Sequence, residues 1–149
     1  MRPFILGTIW LGAAAMVMAN PKYHVTDLSA LAEGSAIVPS TGYAINNAGQ
    51  ITGHGMPTAA GSTSKVFLYD PVNGFINVGN LNGNFVEGNG GNGYSINQQG
   101  VIVGRNCISD TVWAYRPFLF YDANANGVVD AGEHQNLGTE PGYGTGVAN

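Results

Sequence analysis

The sequence predicts an all-β protein made of antiparallel, blade-like repeats, arranged either as part of a propeller or as a small sandwich. Three observations favour this class. Charged residues make up only 9% of the 149 residues, Gly occurs 23 times, and short apolar runs alternate with turn residues. Low charge with many turns is typical of all-β domains, whereas disordered chains are rich in charge and poor in apolar residues.

A twelve-residue segment occurs twice, at residues 42–53 and 93–104, an offset of 93 − 42 = 51 residues. Seven of the twelve aligned positions are identical, and a period near 50 residues is the sequence sign of a repeat architecture. In each copy, Asn and Gly predict a type I turn between two strands. We expect the Tyr and Ile side chains of the repeat to face a shared core, because alternate strand residues lie on one face. These side chains are Tyr43, Ile45, Tyr94 and Ile96.

The N-terminal segment has the features of a secretion signal. Arg2 precedes an apolar run from Phe4 to Met18, and small residues at positions −3 and −1 place cleavage after Ala19. The run is about fifteen residues long, short of the ~20 that a spanning helix needs. We therefore expect residues 1–19 to form a signal helix that is removed. The remaining chain, residues 20–149, is expected to be secreted or at the cell surface, extracellular or periplasmic, without stable membrane insertion.

Alternating β-branched and apolar residues, bounded by Gly, Pro and Asn, predict further strands around the two repeated hairpins. They are expected at residues 22–28, 65–70, 75–78, 111–115 and 117–122. This phase divides the chain into a first module at about residues 22–74, a second at about 75–134 and the start of a third at 135–149. Two modules cannot close a propeller alone. We therefore expect self-association, continuation as a longer chain, or packing of the two modules as a sandwich.

The order of these segments resembles the HAF-type bacterial extracellular repeat. The matching residues are 25–31, 43–53, 66–70, 76–81, 94–104, 118–121 and 136–139. The chain departs from that family after the strands, where residues 78–83 and 137–142 replace the expected Leu-Gly-Thr-Leu-Gly-Gly. The resemblance implies a secreted or surface bacterial protein and no established activity.

An insertion in the second copy carries the strongest chemical signal. Residues 122–133 match the calcium-loop pattern D-x-[DN]-x-[DN]-G-x₅-E at every specified position. Ca²⁺ takes six to eight oxygen ligands, which alternate residues of a tight loop can supply. The predicted ligands are the side chains of Asp122, Asn124, Asn126, Asp130 and Glu133 and the backbone carbonyl of Val128.

The flanks of this loop predict strands, so we expect the calcium loop on a β-hairpin, with the apolar Val129 packed against the fold. Three charged ligands favour an affinity in the extracellular range, roughly 10⁻⁴ to 10⁻³ M, and a structural role for the ion. The alternative interpretation is a polar hairpin loop that binds no ion.

No catalytic motif is evident, and we expect no enzymatic activity. Glu87, Asp110 and His54 are the unassigned polar candidates, and their spacing does not bring them together. Cys107 is the only cysteine, and we expect it to be buried, with an intermolecular bridge or a catalytic thiol as alternatives. A net charge of −4 argues against nucleic acid and anionic membranes as partners.

The sequence therefore predicts a secreted or cell-surface, calcium-stabilised β-repeat module with a structural or binding role and an unknown protein or glycan ligand. The alternative is a secreted carbohydrate-active enzyme or carbohydrate-binding module on a propeller-like frame. Trp113 and Tyr115 are the candidate sugar-contacting side chains, because they lie outside the repeated motif.

Overall fold

The computed structural model describes residues 24–59, 63–81, 83, 90–108 and 115–138. These residues form one helical turn and two four-stranded antiparallel sheets, which confirms the predicted all-β class. The elements are α1 (Leu28–Leu31), β1 (Ile37–Ile45), β2 (Ile51–Pro57), β3 (Lys65–Asp70), β4 (Gly74–Gly79), β5 (Asn92–Ile96), β6 (Ile102–Cys107), β7 (Tyr115–Phe120) and β8 (His134–Asn136). Among the described residues, no helix is long and apolar enough to cross a membrane.

Each sheet is a meander in which every strand pairs with its neighbour in the sequence, β1-β2-β3-β4 in the first sheet and β5-β6-β7-β8 in the second. The last strand of each sheet pairs with the strand before it, β4 with β3 and β8 with β7. The sheets therefore span residues 37–79 and 92–136, whereas the sequence-based division placed residues 75–78 in the second module.

The two repeated turns have the predicted chemistry. Gly49 N–H donates to the Asn46 carbonyl at 3.0 Å, and Gly100 N–H donates to the Asn97 carbonyl at 3.1 Å. Each Asn side chain also accepts the N–H two residues on, and both glycines have a positive φ, +80° and +83°. This combination of an Asx-turn and a left-handed Gly fixes each hairpin locally.

The strand expected at residues 22–28 is wrong for the part that is described. Residues 24–27 pair with no strand, and Val25 is fully exposed, so this segment has no apolar face to bury. Instead, Asp27 Oδ1 accepts the Ser29 N–H at 2.9 Å and caps α1. The Asp27 side chain satisfies a backbone N–H at the start of the helix. In a strand, that N–H would need a hydrogen-bond partner on a neighbouring strand. Residues 1–23, with the predicted signal, lie outside the described residues. Of the strand expected at 111–115, residues 111–114 also lie outside them, and Tyr115 is the first residue of β7.

The core lies between the two sheets. Its buried side chains come from both, namely Val66, Leu68, Ile76, Val78, Ile96, Ile102, Phe118 and Phe120. Strand β5, the first of the second sheet, packs on β1, β2 and β3 of the first. Cys107 is also fully buried, as the sequence predicts.

Only one of the two equivalent Ile residues reaches this core. Ile96 is 8% exposed and belongs to it, whereas Ile45 is 67% exposed. Tyr43 and Tyr94 are exposed as well, each with 45% of its surface accessible to solvent. The expectation that Tyr43, Ile45 and Tyr94 face a shared core is therefore wrong. Ile45 is exposed because the second sheet packs on the opposite face of the first sheet. Tyr43 and Tyr94 lie at register shifts, between Gly42 and Ala44 and between Gly93 and Ser95, which interrupt the alternation of side chains along each strand.

Candidate metal centre

The predicted calcium loop, residues 122–133, joins β7 to β8 and so lies on a β-hairpin, as the sequence indicates. The Tyr121 N–H donates to the Glu133 carbonyl at 3.1 Å and closes the base of the loop. No helix flanks the loop on either side among the described residues. The strand pairing therefore holds the two ends of the loop together.

The side chains at the first, third and fifth loop positions turn inward. Asp122 accepts from the Asn126 N–H through Oδ1 at 3.1 Å and from the Gly127 N–H through Oδ2 at 2.9 Å. Asn124 Oδ1 also accepts from the Asn126 N–H at 3.1 Å, and Asn126 Oδ1 accepts from the Val128 N–H at 2.8 Å. These bonds use one lone pair of each oxygen and leave a second lone pair for another ligand.

Asp130 lies at the centre of the loop. Its Oδ2 accepts from Asn124 Nδ2 at 2.8 Å and from Asn126 Nδ2 at 2.9 Å. Four of the predicted ligand side chains, those of Asp122, Asn124, Asn126 and Asp130, are thus linked in one hydrogen-bonded group. The chain brings together, within one tight turn, oxygens that are up to eight residues apart.

Glu133 spans the loop from its last position. Its Oε1 accepts the Ala123 N–H at 2.8 Å and its Oε2 accepts the Asp130 N–H at 2.9 Å. The residue is buried, unlike most of the loop. Both oxygens therefore face into the loop, the orientation that a bidentate carboxylate ligand requires.

Three loop residues have a positive φ, namely Ala125, Gly127 and Gly132. Gly127 has φ +75°, which the sixth position of this loop pattern needs, and Ala125 has φ 54°. A non-Gly residue pays about 1–2 kcal/mol for this conformation. Asn73, in the β3–β4 turn of the first sheet, donates from Nδ2 to the Ala125 carbonyl at 3.2 Å and fixes it.

The loop also reaches the junction of the two sheets. Val129 packs against the shared core, as the sequence predicts, and a Cβ added to Gly127 would lie 2.9 Å from the Asn73 Cβ. Val128 is mostly exposed, and its N–H is bonded to Asn126. The contact with Asn73 was not predicted, because it joins residues 52 apart in two different sheets.

The residues of the loop fit Ca²⁺ chemically. All six predicted ligands are oxygen donors, and the loop contains three acids and no basic residue. Two of the predicted ligands, Asn124 and Asn126, are neutral amides. Among the described residues, no group of three or more His, Cys, Asp or Glu side chains is arranged to hold a metal ion, so a site in this loop would depend on the amide and backbone oxygens as well. In the arrangement described, Asn124 and Asn126 turn their amide nitrogens to Asp130, so a bound cation would replace those two hydrogen bonds.

A second candidate site is a polar cleft of about 390 Å³ where the sheets meet at the other end. Its wall includes Ser40, His54, Asn92 and Tyr115. The Nδ1 atom of His54 is buried and has no hydrogen-bond partner.

Exposed aromatic side chains border this cleft. The Tyr43 ring lies 5.6 Å from the His54 ring and 5.4 Å from the Tyr94 ring, centre to centre. The Arg105 guanidinium lies 4.7 Å above the Tyr115 ring. Burial raises the pKa of Tyr115, and the charge of Arg105 offsets part of that rise. The other polar candidates from the sequence, Glu87 and Asp110, lie outside the described residues, as does Trp113.

Two stacked four-stranded meanders with one loop inserted between the last two strands define an all-β protein with an internal repeat. A family model described as Protein of unknown function (DUF3466) matches residues 11–130, and the chain belongs to that family. No curated protein matches the chain. No solved structure matches it either.

Proposed function

We propose that this protein is a secreted or cell-surface β-repeat module of the HAF type, stabilised by Ca²⁺, with a structural or binding role and no catalytic activity. The observation that carries the proposal is the inward convergence of the loop oxygens. Asp122, Asn124, Asn126 and Asp130 form one hydrogen-bonded group, and both oxygens of the buried Glu133 face the same loop.

The position of the loop supports a structural role for the ion. Residues 122–133 touch the first sheet through Asn73 and the core through Val129, although the loop belongs to the second sheet. An ion that holds this loop rigid therefore also holds the junction of the sheets. It would neutralise the repulsion among Asp122, Asp130 and Glu133, three acids that lie within one turn.

Calcium binding is tested by titration calorimetry and by melting temperature on the same preparation. With a Kd of about 1 mM, 10 mM Ca²⁺ stabilises the folded state by about 1.4 kcal/mol, which corresponds to a rise of roughly 2–6 °C. We expect Asp122→Ala to remove both the heat and the rise, and Mg²⁺ to give neither. Identical melting in 10 mM Ca²⁺ and in excess chelator, with no binding heat, would overturn the proposal.

A second candidate role is glycan binding at the polar cleft, which the exposed Tyr43 and Tyr94 rings favour. Aromatic faces beside polar groups are what sugar-binding sites present, because the sugar has apolar C–H faces and a polar rim. Titration with a panel of neutral oligosaccharides is the test. Binding that Tyr43→Ala weakens at least tenfold would support this role, and no binding at 10 mM sugar would exclude it.

A further inference from the structure

The contact between the two sheets is head to tail. We call the face of each sheet that carries the Ile of the repeated motif its front face, and the opposite face its back face. The strand registers assign the rows Ile45, Ile51, Phe67, Tyr69 and Phe75 to the front of the first sheet, and the equivalent Ile96, Ile102, Phe118, Phe120 and His134 to the front of the second. The core joins the front of the second sheet to the back of the first, which carries Val66, Leu68, Ile76 and Val78.

One front face is open at its Ile45 end, and one back face is open around Val103. Farther along that front face, Phe67 is fully buried, and Ile51, Tyr69 and Phe75 are partly buried. On the front of the first sheet, Ile45 is largely exposed, whereas its equivalent Ile96 is buried. On the back of the second sheet, Val103 is 41% exposed, whereas its equivalent Thr52 is fully buried. Ile45 and Val103 are therefore the exposed equivalents of Ile96 and Thr52, which are buried where the two sheets of the chain meet.

The uncovered back face carries apolar and polar side chains, because Arg105 and Gln135 lie in the same rows as Pro117 and Leu119. Its rows carry Val103, Leu119 and Pro117, and the exposed Leu137 lies where the buried Val78 lies in the first sheet. A groove of about 430 Å³ runs over this face and is bordered by Tyr94, Val103, Pro117 and Leu137. Apolar surface of this kind on one molecule is a sign of a protein contact.

Hydrogen bonds between the repeated turns run from the first turn to the second, and, in the part of the chain that the structure describes, the second turn has no third turn to which it could donate in the same way. Asn46 Nδ2 donates to the Asn97 carbonyl at 2.9 Å, and the Asn47 N–H donates to Gln98 Oε1 at 3.1 Å. The next donor in the series is Nδ2 of Asn97, whose side chain is exposed and whose Oδ1 is used within its own turn. The acceptor that matches it, by the equivalence of the two turns, is the Asn46 carbonyl of another copy.

We propose that a second copy of this chain docks its front face, around Ile45, on the back face of the second sheet, around Val103, and so repeats the internal contact between molecules. Such a contact is heterologous, because different surfaces of the two copies meet. Each new copy again leaves one free front and one free back face. Propellers close with four to eight blades, so two to four copies of this two-sheet chain complete a ring.

The first test is the mass in solution of the full chain, purified as the host processes it, by light scattering after size exclusion at concentrations up to 1 mM. Each measurement is made in Ca²⁺ and in excess chelator, so that assembly is judged apart from ion binding. We expect a species of two to four chains of up to 15.5 kDa each. A ladder of larger sizes would also support head-to-tail docking, with a rotation that does not close. A monomer under every condition would overturn the proposal.

The second test uses one blocked face per variant. Ile45→Glu blocks the front and Val103→Glu blocks the back, and both positions are exposed, so both variants should fold. Val72→Glu, at a residue that is 90% exposed in the β3–β4 turn, is the matched control and should assemble as the unmodified chain does.

We expect each blocked variant to be monomeric alone. Mixed one to one, they should form a dimer, because the free front of Val103→Glu fits the free back of Ile45→Glu. No dimer in the mixture, or unchanged assembly of either variant, would overturn the proposal.

Discussion

Asn46 donates a hydrogen bond from its side-chain Nδ2 to the backbone carbonyl of Asn97, 51 residues away, at a distance of 2.9 Å. The two residues occupy the same position in the two copies of the repeat. The same Asn46 side chain accepts the N–H groups of Ala48 and Gln50, both at 3.0 Å. One amide therefore shapes its own turn and ties that turn to its equivalent in the next sheet.

Replacing each Asn by Ala should have unequal effects. Asn46→Ala removes the turn bonds and the bond between the sheets at a buried position, and we expect a loss of about 2–3 kcal/mol. Asn97→Ala removes only turn bonds at an exposed position, and we expect about 1 kcal/mol. Urea unfolding of both variants at low protein concentration measures the difference. Equal losses would contradict a role for Asn46 between the sheets.

A second pair of equivalent residues tests the packing of the sheets. A Cβ at Gly93 would lie 2.2 Å from Thr52 Oγ1, which is held by its bond to the Phe67 carbonyl at 2.9 Å. A Cβ at Gly42 would meet its nearest atom, on Ile51, at an ordinary 3.4 Å. We expect Gly93→Ala to lower the free energy of unfolding by about 1–3 kcal/mol and Gly42→Ala to change it by less than about 0.5 kcal/mol. If Gly93→Ala is as stable as Gly42→Ala, the sheets do not meet as described.

His134 should make stability depend on pH. Burial lowers its pKa to about 4 from 6.5, against a smaller opposing effect of a backbone hydrogen bond with Val78. The ring lies 5.1 Å from Phe118 and 6.2 Å from Phe120, between centroids, so the neutral form suits its surroundings. Because the unfolded chain binds a proton below pH 6.5 and the folded chain does not until about pH 4, stability falls as the pH drops through this range. The loss from this residue amounts to about 3 kcal/mol.

The control for this pH effect is His134→Phe, which introduces the residue that the first sheet has at the equivalent Phe75. We expect the variant to lose most of the pH dependence between 6.5 and 4 in thermal unfolding curves. The pKa of Asp70 is lowered from its usual 3.8, so this carboxyl titrates below the range of His134. Burial raises the pKa of Asp70, but hydrogen bonds from Gln50, Asn73 and Val72 lower it by more. A variant that keeps the full pH slope would show that another group is responsible.

The last position of the loop separates ion binding from simple loop stability. Glu133→Gln keeps the size of the side chain but removes its charge. It also replaces one of the two side-chain oxygens that accept backbone N–H groups. We expect it to abolish the rise in melting temperature with Ca²⁺ and to cost about 1–2 kcal/mol without Ca²⁺. Glu33→Gln, at an exposed acid in the described N-terminal segment, is the matched control and should keep the response to Ca²⁺. A full response in Glu133→Gln would rule out Glu133 as a ligand.

Local chemistry made much of this fold predictable. The turns at Asn46 and Asn97 depend on bonds within five residues, and the strands around them follow from apolar runs that end in Gly and Asn. The hairpin setting of the loop at residues 122–133 was predictable for the same reason, because its flanking strands are short apolar segments.

Contacts between the sheets were not predictable from the sequence. Ile45 and Ile96 occur in the same local pattern, and only the stacking of the sheets decides which of them is buried. The bond from Asn73 to Ala125 likewise joins distant residues. The segment before α1 shows the opposite error, since its alternation resembles a strand while Asp27 and Ser29 form a helix cap.

The bond from Asn73 would make the junctions of the proposed ring unequal. The inserted loop occurs once per chain, in the second copy only, and it braces the rim of the sheet that precedes it. The proposed contact between two chains would lack such a bond, since the first copy has a short turn at residues 71–73 where the second has its loop. In such a ring, contacts between sheets of one chain, which have the Asn73 hydrogen bond, would alternate with contacts between chains, which lack it. The ring would therefore dissociate at the contacts between chains, into intact two-sheet monomers, before the two sheets of any chain separate.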